Sequence, residues 1–213
     1  MTEFRGIVAQ DTVDAVGEGG YVGLKASKMG FLIVQDFYTQ MAIEGRVYNV
    51  QAGTLTTPLT GNVNITDTAA EMCADAAAGY TIIPVYLNVS LESFAGGTLP
   101  ECAAKSVGAV STAGVAFVPL PLYMGGAAAA TTARVAATAG TVTVAAEVAT
   151  TTRIHYANVV TAQADRILAD VDLLVPPVLP GPACFYVQVS ATTAGPVYFA
   201  HFDYIELPTT GIS

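Results

Sequence analysis

The strongest constraint on this chain lies at residues 79–94. Beyond Pro84 the sequence alternates with the period of two that extended backbone imposes. Val85, Leu87, Val89 and Leu91 fall on one face, and Tyr86, Asn88, Ser90 and Glu92 on the other. One face is therefore expected to be buried and the second wetter or partner-facing. Pro84 is expected at the start of the strand, where a missing amide donor costs least. A strand of this length needs several antiparallel neighbours, and the chain supplies extended segments far more readily than helical ones. The expected fold is all-β: one antiparallel β-sandwich domain over residues 1–213, with an N-terminal arm or edge strand at 1–20 and an Ala/Thr/Gly-rich insertion at 100–152.

Residues 45–53 make a short strand closed by Gly53, and Pro58 makes residues 54–61 an edge strand or extended loop. Residues 62–68 alternate through Val63 and Ile65, and 69–78 suit a helical turn or tight connection before the long strand. Residues 31–43 place Ile33, Phe37 and Met41 at helical spacing, but their β-branched and aromatic content favours a bent strand. Val142, Val144, Ala146 and Val148 alternate with Thr141, Thr143, Ala145 and Glu147, which predicts a strand. Residues 153–160 continue extended, 164–174 fit a short helix or another edge, and 176–182 form a stiff proline-rich connection. The last strong feature is a hairpin, with strands at 184–190 and 197–207 joined by a turn at 191–196.

Only 12% of the residues are charged and 53% are hydrophobic, with a mean hydropathy of +0.52. A globular average is about 25% charged. Three kinds of chain tolerate this: a membrane protein, a secreted Ala/Thr/Gly-rich protein, or a subunit whose flanks are covered by other copies. The uncharged stretch 113–130 contains Pro119, Pro121, Gly125 and Gly126, and two prolines so close together disrupt the helix that lipid demands. No membrane span is expected, and the N-terminus shows no signal core. The formal net charge of −9 and the lack of a basic run argue against nucleic-acid binding.

The chemistry of sites is sparse. Catalysis through histidine has only His155 and His201 to use. Asp203 shares a strand face with His201, yet no nucleophile turn accompanies the pair. Cys73, Cys102 and Cys184 are too scattered for a disulfide scaffold, and neither they nor the histidines show close metal-ligand spacing. Asp165, Asp170 and Asp172 lack the glycine and oxygen spacing of a calcium loop. The expectation is a chain with no catalytic residues, no metal and no cofactor. Tyr80, Tyr86, Tyr198 and Tyr204 could form a sugar-holding aromatic row, although core or interface roles are favoured for them.

One stretch stands out as a surface for association. Val115, Phe117, Val118, Leu120, Leu122, Tyr123 and Met124 are too apolar to lie together in a solvated loop, while Pro119 and Pro121 prevent central-strand pairing. They are assigned to a subunit or lattice interface. The alternative is a loop folded back over the end of its own sandwich.

Glu44-Gly-Arg-Val-Tyr48, Ala52-Gly-Thr54, Thr57-Pro-Leu-Thr-Gly61, Ala78-Gly-Tyr-Thr-Ile-Ile-Pro84 and Gly181-Pro-Ala-Cys-Phe-Tyr-Val187 together resemble the β-sandwich structural proteins of tailed-bacteriophage virions. The resemblance covers about half of the chain and rests on ordering and texture. It implies a jelly-roll-like domain that sits on the outer capsid surface as a decoration (cement) protein, as a homotrimer bound to the major capsid protein lattice. Acidity fits the outer face, away from packaged nucleic acid. The alternatives are a carbohydrate-binding β-sandwich for adhesion or host recognition, and a jelly-roll protein that forms the shell itself.

Overall fold

The computed structural model describes residues 37–96, 98–160 and 166–211. The chain separates into two units, Met1–Gln40 and Met41–Ser213. The arm expected at 1–20, residues 31–36 of the expected bent strand and Asp165 lie outside the described residues.

The first described element, α1 (Phe37–Ile43), is helical, which corrects the expectation of a bent strand. Its end explains the choice. Gly45 adopts φ = 70°, its N–H bonds to the Ala42 carbonyl, and the Arg46 N–H reaches back to the Met41 carbonyl. This pair of bonds closes a helix only when a glycine can take the left-handed conformation.

In chain order the strands are β1 (Val47–Ala52), β2 (Leu59–Thr60), β3 (Asn62–Val63), β4 (Ala69–Ala70), β5 (Met72–Ala76), β6 (Tyr80–Ser93), β7 (Pro100–Val107), β8 (Thr112–Ala113) and β9 (Val115–Phe117). They continue with β10 (Leu120–Pro121), β11 (Thr132–Val135), β12 (Val142–Thr143), β13 (Arg153–Val159), β14 (Ile167–Asp172), β15 (Leu179–Pro180), β16 (Ala183–Ala191) and β17 (Val197–Pro208). The first sheet runs β10-β1-β17-β6-β14, with β2 added on β17 and β15 on β6. The second runs β13-β7-β16-β5-β11-β9, with β3 added parallel to β16. A small third sheet, β4-β12-β8, completes the set.

The first two sheets form the antiparallel β-sandwich. Val50, Leu87, Val89, Phe202 and Tyr204 from the first pack with Ala74, Ala104, Phe185, Val187 and Val189 from the second in one core. Phe185 and Phe202 meet across the layers at 5.1 Å and 72°, an edge-to-face contact. Each fully buried side chain of this size contributes about 1.5–3 kcal/mol.

The other face of the second sheet carries a separate cluster, in which Ala70, Val142 and Val144 cover Cys73, Cys184 and Tyr186. Strand β16 is therefore buried along its whole length. Polar contacts fasten this cover. Lys105 pairs with Glu147. The fully buried Glu71 accepts the Gly140 N–H at 3.2 Å on each oxygen. Burial pushes the Glu71 carboxyl up to about 7.

Several expectations are corrected here. The strands at 184–190 and 197–207 exist as β16 and β17, but they are no hairpin: β16 already lies between β5 and β7, and β17 lies between β1 and β6 in the other sheet. The connection between them crosses from one sheet to the other. It presses so close to Gly61 that a Cβ on Gly195 would stand 1.8 Å from the Gly61 carbonyl oxygen.

Residues 69–78 form β4 and β5 rather than a helical turn. The strand expected at 141–148 shortens to β12 because only Val142 and Val144 find cover. The alternation at 62–68 yields only β3. Within 100–152, β7 takes a place between β13 and β16 in the second sheet. Of the two forms expected at 164–174, the structure has an edge strand, β14. The proline-rich connection carries β15.

Strand β6 follows the expected alternation at Leu87, Val89 and Leu91, which are buried, but Val85 is only half-buried and falls where the pairing with β17 skips a residue. Pro84, however, sits inside it and not at its start. It lies beside an irregularity in pairing with β17, where the neighbour on the other side changes from β14 to β15. Proline is tolerated at such a break because no ladder bond is lost there.

Candidate assembly surface

The apolar stretch 115–124 crosses the open side of the sandwich. β9 is the edge strand of the second sheet, pairing Val115 with Val135 and Phe117 with Ala133. β10 is the edge strand of the first, pairing Leu120 with Asn49 and Pro121 with Tyr48. Val118 and Pro119 carry the chain between them. A proline at an edge loses no interior bond, which is how Pro121 is accommodated. The Leu122 N–H then bonds to the Val47 carbonyl at 3.0 Å, and a tight turn follows with the Gly126 N–H on the Tyr123 carbonyl and Gly125 at φ = 89°.

This strap presents its side chains outward. Val115, Val118, Leu120, Leu122, Tyr123 and Met124 are exposed, Val118 to 71% and Met124 to 93%. Phe117 differs from the other six expected interface residues, because it is partly buried against the main core. The backbone of the strap is held to both sheet edges while these six apolar side chains stand exposed. Isolated exposed apolar residues are ordinary, but a contiguous row on a fixed backbone marks an interaction surface.

The opposite flank has a comparable character. Edge strands β13 and β14 are joined by the Tyr156 O–H and the Asn158 amide, each donating to the Leu168 carbonyl at 2.8 Å. Ile154, Val159 and Ile167 are exposed there. The sequence carries no signal of this second flank, since its residues are interleaved with polar ones and form no continuous run.

The outer face of the first sheet is polar over two rows, beside a buried apolar row of Val47, Ile205 and Ile83 on the same face. Register places Asn49, Asp203, Tyr86 and Asp172 in one row across four strands, and Gln51, His201, Asn88 and Asp170 in the next. The Asn49 amide donates to Asp203 at 2.7 Å, Tyr86 donates to Asp170 at 2.5 Å, and the Tyr86 and His201 rings lie 5.5 Å apart. The bond to Asp170, followed by burial, raises the Tyr86 phenol above its usual range. Asp170 and Asp172 thus belong to a strand. Tyr198 and Tyr204 are fully buried, so the aromatic row leaves only Tyr86 on this face beside a partly buried Tyr80 on the same strand.

His155 bonds Ser106 Oγ through Nε2 at 2.8 Å. Burial, and then the Arg153 charge, lower its pKa. Ser106 is only 3% exposed, and no carboxylate among the described residues bonds the ring to complete a catalytic relay. The contact closes the end of the core, where His155 also lies 6.0 Å from Phe185.

Among the described residues, no helix is long and apolar enough to cross a membrane. Comparison with protein-family models, with curated proteins and with solved structures finds no match in any of the three.

Proposed function

We propose that this chain is a non-enzymatic structural subunit that assembles with copies of itself and stabilises the outer surface of a viral capsid lattice, as a decoration protein. The observation that carries the assembly part is the strap: six exposed apolar side chains on a backbone pinned to the edges of both sheets. Such a row gains from association the burial it lacks in the monomer. Two different apolar flanks, the strap on one side and Ile154, Val159 and Ile167 on the other, favour a head-to-tail contact, which closes into a ring when the rotation allows. The trimer number and the capsid as partner rest on the resemblance, and the net charge of −9 suits a surface turned away from nucleic acid.

A second reading, carbohydrate binding, is supported by the polar outer face of the first sheet, where Tyr86 and His201 pack together among side-chain amides and carboxylates. Co-sedimentation with tailed-phage capsids and a glycan array separate the two. Capsid binding without glycan binding is expected. Saturable glycan binding with no capsid affinity would overturn the first reading in favour of the second.

A further inference from the structure

The fold brings together three potential metal ligands that lie far apart in sequence. Cys73 and Asp75 alternate on β5, and β16 places Cys184 directly opposite Asp75. The two sulfurs and a carboxylate oxygen all lie within 4.8 Å of one another. All three residues are buried, beneath the layer formed by Ala70, Val142 and Val144.

We propose that Cys73, Asp75 and Cys184 bind one thiophilic divalent cation, Zn²⁺ by ligand type, and that this ion fastens the three-stranded cover to the second sheet. Thiolate and carboxylate are both ordinary zinc ligands. A tetrahedral ion with Zn–S bonds of about 2.3 Å sets two sulfurs about 3.8 Å apart, within reach of the spacing here after small side-chain rotations.

Ser111 supplies the orienting contact that such sites use. Its N–H and hydroxyl donate to the two Asp75 oxygens at 2.8 and 2.6 Å, and its oxygen accepts from the Cys73 thiol at 3.1 Å. Only the last of these is lost when the ion binds. Charge balances as well. Two thiol protons pass to solvent as one doubly charged ion enters, so the cluster carries a single negative charge before and after, and the Ser111 donors remain on the carboxylate.

Sequence spacing gave no hint of this arrangement, because the third ligand reaches the first two only through the register of β5 with β16. The site is closed over by the cover, so the ion must be supplied as the chain folds.

The test refolds the full chain with and without Zn²⁺, removes excess metal, and measures bound metal and thermal stability. About one Zn²⁺ per chain and a higher Tm than the metal-free protein are expected. Refolding with Co²⁺ should give the intense absorption of thiolate-to-cobalt charge transfer. Cys184→Ser should lose both signals. Cys102→Ser, at the third buried cysteine and outside the cluster, should keep them. Because a buried Cys→Ser change can itself impair folding, the cobalt spectrum of the unaltered chain stands as an independent readout. No stoichiometric metal, cobalt binding without a thiolate band, or metal retained by Cys184→Ser would each overturn the proposal. So would a Cys73–Cys184 disulfide in the protein refolded with Zn²⁺ under reducing conditions.

Discussion

Strand β17 and the strap at 115–124 are both rich in aromatic and aliphatic residues, yet they end in opposite surroundings. In β17, Tyr198, Phe202 and Tyr204 are essentially inaccessible, because the strand lies between β1 and β6 and its apolar face meets the second sheet. The strap pairs on one side only, and Val118, Leu120, Leu122, Tyr123 and Met124 are exposed on it. Apolar content alone does not say whether a segment serves folding or association. What separates the two is backbone pairing: unbroken donors allow β17 two neighbours, while Pro119 and Pro121 confine the strap to edges.

This contrast can be broken by substitution. Phe202→Ala should cost about 3–5 kcal/mol of unfolding free energy in urea denaturation, since it empties the contact with Phe185 between the layers. A loss below 1 kcal/mol would mean that β17 is not the centre of the core.

A second test uses pH. Glu71 is raised to about 7 from an ordinary 4.5, so the native state holds a proton that the unfolded chain has released. Stability should therefore be fully present below pH of about 4.5 and fall by up to about 3 kcal/mol as pH rises towards 7, then level off. Glu71→Gln should flatten that slope. The strap contains no carboxylate or histidine, and a slope that survives the substitution would assign the proton to another group.

Phe117→Ser sharpens the boundary between the regions. It should destabilise the dissociated chain by about 1.5–3 kcal/mol, because this ring packs on the core. Met124→Ser and Leu122→Ser, at exposed positions, should change the same quantity by no more than about 0.5 kcal/mol. Equal losses at Phe117 and Met124 would remove the distinction between core and strap.

The sandwich was legible wherever a strand has one wet face. The alternation of Leu87, Val89 and Leu91 against Asn88 and Ser90 marks β6 directly. It was hidden where both faces are covered. Met72–Ala76 is buried on both sides and, beyond Met72, built from short side chains, so it carries no apolar period of two and resembles a connection. Partnership between strands was also out of reach: β16 and β17 are adjacent in sequence with a turn-like link, and only tertiary register puts them in different sheets. The strap itself could be read from its prolines and apolar run. Its two edge attachments, the inward turn of Phe117 and the second apolar flank depend on tertiary register and could not.

The most direct measurement is the solution mass of the unaltered chain at micromolar concentration, beside a Val118→Ser, Leu120→Ser, Met124→Ser triple variant, by light scattering after size separation. A closed oligomer, a whole multiple of 21.8 kDa, is expected for the unaltered chain, and a monomer with unchanged Tm for the variant. A 21.8 kDa monomer for the unaltered chain, or the same oligomer in both proteins, would contradict the claim that the strap is an assembly surface.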